Sequence, residues 1–139
     1  MGQRIPKGVV LDTNVVVSGL LFGGVPGKLE DLWKNRAIVP VVTKEIVDEY
    51  VLVFAYPKFD LTQDEINYLL YHEILPYFEP IPSIKHQSVI VSEDPSDDKF
   101  LLCAEAGKCE AIITGDQHLL SLGEYKDIRI MSAGEFLKG

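Results

Sequence analysis

Short apolar runs alternate along this chain with stretches of helical period, and several of the runs end on or near an acid. Gly8-Val9-Val10-Leu11-Asp12 reads as a buried strand, apolar and β-branched, closed by a carboxylate. A short helix is predicted over residues 13–21. A glycine-rich loop, Gly23 to Gly27, follows, with Pro26 placed to open a helix running to about Asn35. Ala37 to Val42 reads as a second buried strand, in which Pro40 signals an edge or an irregularity. Thr43 suits the N-cap of a helix through about Ala55 that ends before Pro57. Thr62-Gln63-Asp64-Glu65 has capping-box spacing and starts a helix to about Leu75. Residues 76–91 are interrupted by prolines, with a short strand expected at Val89 to Val91, and Ser92 to Ser96 reads as a turn. A helix is expected from Asp97 to Ala106 with Gly107 as its C-terminal stop. Ala111 to Thr114 forms a third buried strand, Ile128 to Met131 the last, and Ser132 caps a terminal helix. Apolar strands alternating with helices predict an α/β fold, a parallel central sheet with helices on both faces. In such open sheets ligands bind beyond the carboxyl ends of the strands. Asp12 and Asp116 both fall at such ends, which allows them one shared crevice.

Composition narrows the setting. A chain of 139 residues suits a single domain over 1–139. Although 47% of it is hydrophobic, no apolar run approaches the ~20 residues of a membrane helix. Met1 to Lys7 lacks the apolar core of a secretion signal, so a cytoplasmic protein with no membrane attachment is expected. Cys103 and Cys109 sit in apolar surroundings without CxxC spacing and read as reduced core residues. His72, His86 and His118 match no zinc pattern. The net charge of −8 opposes broad electrostatic capture of nucleic acid. It is compatible with an acidic pocket that holds cations, because a bound metal inverts the local sign.

The acids supply the candidate chemistry. Asp12 ends the first strand. Glu49 lies in the helix after the second strand, with Glu45 one turn earlier. Asp97 and Asp98 open the helix before the third strand, and Asp116 follows that strand. Each alone has an ordinary explanation as a turn cap, a solvated helix face or a helix N-terminal acid. Together they fall on the one rim where strand ends and helix starts converge. Clustered carboxylates repel and their pKa values rise unless a counter-charge intervenes. Hard oxygen donors without His or Cys point to Mg²⁺ or Mn²⁺, and such a centre suits phosphoryl chemistry.

With these residues in view, the chain resembles the PIN-domain nucleases, in the branch of toxin–antitoxin toxins related to VapC. The matching segments are Val9 to Val15, Thr43 to Glu49, Asp94 to Phe100, and Ile112 to Leu120 with its Thr114-Gly115-Asp116 step. They run in the family's order over nearly the whole chain. The resemblance implies a Rossmann-like PIN fold and a carboxylate cluster for Mg²⁺ or Mn²⁺. It places the family's acids on Asp12, Glu49, Asp98 and Asp116, as both catalytic and metal-binding residues, with Glu45 as the fallback for Glu49. Thr13, Asn14, Asp97 and Thr114 fall at supporting positions that orient the acids or water.

The expected activity is therefore hydrolysis of RNA phosphodiester bonds by a metal-dependent endoribonuclease, with Lys7, Lys44 and Lys99 as candidate phosphate contacts. A toxin of this kind implies an antitoxin protein as partner and a homodimer. The alternative is a catalytically inert PIN-fold module that binds RNA or protein. A phosphatase of the type that places an Asp after its first strand needs a second Asp two residues on, where this chain has Asn14. A receiver-like signalling module needs a phosphoacceptor Asp after a central strand and a Lys after the last, and neither is visible.

Overall fold

The computed structural model of the chain describes residues 7–82 and 95–139. The expected strand at Val89 to Val91 and most of the turn before Ser96 lie outside the described residues.

The first buried run forms β1 (Lys7–Leu11), followed by α1 (Thr13–Phe22) and α2 (Gly24–Lys34). Next come β2 (Ile38–Val42), α3 (Lys44–Phe54), a 3-10 turn (Pro57–Phe59) and α4 (Gln63–Tyr68), which widens into a π-type turn over Leu69–Ile74. After β3 (Glu79–Pro80), a 3-10 turn at Pro95–Asp97 leads into α5 (Asp98–Ala106). The chain ends with β4 (Ala111–Ile113), α6 (Gln117–Leu120), β5 (Glu124–Tyr125), β6 (Ile128–Met131) and α7 (Ala133–Lys138).

The six strands form one sheet in the order β3-β2-β1-β4-β6-β5, parallel except for β5 against β6. The expected α/β architecture is thus the observed one. Val9, Val10, Leu11, Ile112 and Ile113 are fully buried, as a parallel strand covered on both faces requires. From β1 the chain moves outward to β2 and β3 on one side, and later to β4 and β6 on the other. The gap between β1 and β4 is therefore the topological switch point, where the connections diverge and leave a crevice at the carboxyl ends.

The caps read from sequence are present. The Thr43 hydroxyl accepts from the Ile46 N–H, and Thr62 and Ser132 each complete a capping box. One expectation needs correction, the loop before α2, while those at Pro40 and Gly107 hold for local reasons that the structure supplies. Pro40 lies in an inner strand; however, β3 pairs only beside Val41 and Val42, so at Pro40 the strand is flanked by β1 alone and no ladder is broken on the outer side. The loop before α2 is shorter than expected, because Gly23 and Gly24 take positive φ (76° and 63°) and the helix starts two residues ahead of Pro26. Gly107 ends α5 with φ −85°, not in a left-handed conformation. A Cβ there would stand 3.0 Å from Val41 Cγ1, so close packing is what favours glycine at that position. The short β3 and β5 were not expected, being two residues each with prolines or charges among them.

Cys103 and Cys109 are free and buried, and burial pushes their thiols up to about 12 and about 11. Neither is a reactive thiolate at neutral pH. Among the described residues no helix is long and apolar enough to cross a membrane.

Candidate active site

The switch point is built by backbone continuity beyond the ends of the strands. The Asp12 N–H donates to the Ile113 carbonyl at 3.0 Å, and the Thr114 N–H to the Met131 carbonyl at 3.0 Å. Both residues are therefore held by the sheet although they lie past their own strands. Asp12 then takes an extended conformation at the N-cap of α1, and its backbone carbonyl accepts the first helical bonds. Tyr50, fully buried on α3, donates its hydroxyl to the Leu11 carbonyl at 2.7 Å and so fixes α3 against the residue before Asp12.

Side chains complete the arrangement. The Thr114 hydroxyl donates to Asp12 Oδ2 at 2.6 Å and accepts the Asp116 N–H at 2.9 Å. One buried hydroxyl thus orients one acid and positions the backbone of another. Asp116 caps α6, its Oδ2 accepting from the Leu119 N–H at 3.1 Å. Across the crevice the Thr13 hydroxyl donates to Glu49 Oε2 at 2.5 Å. The other oxygen, Glu49 Oε1, pairs with Lys99 Nζ at 2.6 Å. Lys99 also donates to the Ser96 carbonyl at 2.5 Å, and its ammonium lies 5.0 Å from the Phe100 ring centre.

These residues surround a cavity of about 440 Å³, with Asp12, Glu49, Asp97 and Asp116 in its wall beside Thr13, Asn14, Lys58 and Lys99. Four acids face two lysines. Burial pushes the Asp12 carboxyl above its ordinary value, and the negative charges of Glu49 and Asp116 push it further. The Thr114 hydroxyl and the Thr13 backbone oppose this by bonding the charged form. Burial likewise raises the Tyr50 phenol, with the Asp12 charge adding to it, so Tyr50 stays a neutral donor.

The structure separates the sequence candidates. Asp12, Glu49, Asp97, Asp116, Thr13 and Asn14 line the cavity; Thr114 lies behind it, fully buried. Glu45 is exposed on α3 and outside the lining, which favours Glu49 over its fallback. Spacing to Thr114 placed the third acid on Asp98. Here Asp97, in the 3-10 turn, lines the cavity with one carboxylate oxygen buried, whereas Asp98 is the buried first residue of α5 and outside the lining. Of the three candidate lysines, Lys99 lines the cavity. Lys44 is exposed and pairs with Asp48 at 2.8 Å, and Lys7 lies at the opposite end of β1. Further wall residues absent from that candidate set include Leu52, Tyr56 and Lys58. Their one signal was a tyrosine and a lysine flanking a helix-ending proline.

The donor set suits a hard divalent ion, being all carboxylate and hydroxyl. Among the described residues no three His, Cys, Asp or Glu side chains are gathered closely enough to hold an ion as they stand. Both Glu49 oxygens are engaged, one of them by a cation of the chain itself.

A parallel α/β sheet with an acid-lined crevice at its switch point defines a class of protein that works on ligands at the carboxyl ends of its strands. A family model described as PIN domain matches residues 8–118, and the chain belongs to that family. No curated protein matches it. PIN domains are generally nucleases and typically use divalent metals, so at the coarse level this is a nuclease-type hydrolase.

Proposed function

We propose that the protein is an endoribonuclease that hydrolyses RNA phosphodiester bonds with Mg²⁺ or Mn²⁺ at the Asp12 cluster. The observation that carries this reading is the convergence of Asp12, Glu49, Asp97 and Asp116 on one cavity at the switch point. Asp12, Asp116 and an acid of the Asp97–Asp98 pair would hold the ion, Asp97 being favoured by its place in the wall, and Glu49 would join them directly or through water. When bound there, such an ion would supply activation of water and charge stabilisation at the phosphate and the leaving oxygen. Thr114 holds Asp12 in one orientation, and Thr13 does the same for Glu49. Lys99 is the counter-charge paired with Glu49 in the cavity wall, and it would meet a phosphate once the acids are otherwise neutralised. The resemblance of the motifs to VapC-related toxins supports a toxin of a toxin–antitoxin pair, with an antitoxin protein as partner and a homodimer as the assembly.

Purified protein incubated with mixed RNA and Mn²⁺ or Mg²⁺ is expected to cleave it and to stop on chelation. Asp12→Asn is expected to lower cleavage at least about 100-fold, as loss of a ligand exceeds the 10–100-fold typical of an outer-shell change. Undiminished cleavage by a folded Asp12→Asn protein would overturn the assignment.

A further inference from the structure

Beside Glu49 and the core residue Val53, the α3 side of the acidic cavity is lined by residues that neither the acid chemistry nor the core requires. Leu52 is 63% exposed and Tyr56 44% exposed, and Lys58 is exposed beside them. An exposed tyrosine contributes little to the core, and this one shares the cavity wall with the four acids.

The segment that carries Tyr56 is held rigidly. Its N–H donates to the Val53 carbonyl at 3.0 Å as α3 ends. Pro57 restricts the residue before it to extended conformations, and Tyr56 sits at φ −61°, ψ 134°. The Phe59 N–H then closes the 3-10 turn on the Tyr56 carbonyl at 3.0 Å, and the Asp60 N–H on that of Pro57 at 3.0 Å. Phe59 anchors the turn, packing against the core with its ring 6.0 Å from that of Phe22. Lys58 Nζ lies 5.2 Å from the Phe59 ring centre. The turn thus fixes the backbone from which an aromatic ring and an ammonium group reach the rim, which lowers the ordering cost of binding.

An aromatic face and a cation on one rim can recognise an unstacked nucleobase and the phosphate joined to it. We propose that Tyr56 and Lys58 form a nucleotide subsite, in which a base beside the scissile phosphate stacks on Tyr56 and a flanking phosphate pairs with Lys58. The proposal rests on the ribonuclease reading above and assigns to it two specificity residues. It also accounts for how a chain of net charge −8 grips a polyanion: one cation and one neutral ring at the rim act locally, without a basic face. Bases within a duplex are already stacked on each other, so the subsite selects single strands.

The test is fluorescence anisotropy with a short fluorescein-labelled single-stranded RNA in EDTA, where binding is read without cleavage. Tyr56→Ala is expected to weaken binding about tenfold, within the range for loss of one base–aromatic stack. Tyr56→Phe, which keeps the ring, should bind as wild type does. Lys58→Met should weaken binding and reduce the slope of log affinity against log salt by about 0.7. Affinity for a duplex of the same sequence should not change with Tyr56→Ala. Wild-type affinity in Tyr56→Ala, an equal loss in Tyr56→Phe, or an equal loss on duplex would each overturn the subsite. If the subsite fails while wild type still cleaves RNA, the nuclease reading stands. If Tyr56-dependent binding is present but nothing is cleaved with metal, the nuclease reading fails and the subsite remains.

Discussion

The two ends of the sheet carry cavities of similar size and different electrical character. At the amino ends of the strands, a cleft of about 500 Å³ lies between α2 and α7, with Lys7 and Arg129 set against Glu110 and Glu135 among Leu32, Ile38, Phe136 and Leu137. At the carboxyl ends, about 440 Å³ is walled by four acids against two lysines. The first is charge-balanced and half apolar, as the seam between packed helices and strand starts tends to be. The second carries an excess of like charge, which costs stability and persists only where another demand maintains it. Cavity size therefore does not distinguish the two ends, whereas unbalanced charge at the switch point does.

The comparison can be broken most forcefully by neutralising one acid at each end. Glu49→Gln should reduce metal-dependent RNA cleavage by about 100-fold, whereas Glu110→Gln and Glu45→Gln should stay within about twofold of wild type, as surface changes away from a site usually do. Equal losses from Glu49→Gln and Glu110→Gln would erase the distinction between the two ends. A smaller effect is expected from Thr114→Val, which preserves shape and removes the hydroxyl between Asp12 and Asp116. Cleavage should fall about 10–100-fold with secondary structure retained, measured by single-turnover kinetics beside circular dichroism.

The smallest effect is on stability. Asp12 has a folded-state pKa above its unfolded value, so the native state holds that proton more tightly than the unfolded chain. Its contribution is fully present below the ordinary carboxylate range and is lost as pH rises through the raised value. Urea titrations in EDTA should show wild type losing stability relative to Asp12→Asn over that interval. The opposite slope would mean that the Thr114 bond outweighs burial and repulsion.

Much of this was legible in the chain. The buried strands β1, β2, β4 and β6 and the caps at Thr43, Thr62 and Ser132 follow from local patterns that the fold obeys. Asp12 and Asp116 were readable because a strand end is marked by where an apolar run stops. The choice between Asp97 and Asp98 was not, since a 3-10 turn ahead of α5 decides which of two neighbours meets the cavity. Nor was the partner of Lys99: its pairing with Glu49 spans separate helices and depends on how α3 and α5 pack. Tyr56 and Lys58 escaped because their meaning lies in which cavity a turn faces, and no periodicity encodes that.

The central claim is that the carboxyl-end acids form a divalent-metal centre, and Mn²⁺ binding measured by isothermal titration calorimetry tests it directly. Wild type and Glu110→Gln are expected to bind Mn²⁺ alike, and Asp12→Asn to bind at least about tenfold more weakly. Equal Mn²⁺ affinity in wild type and Asp12→Asn, or no binding by wild type, would contradict it.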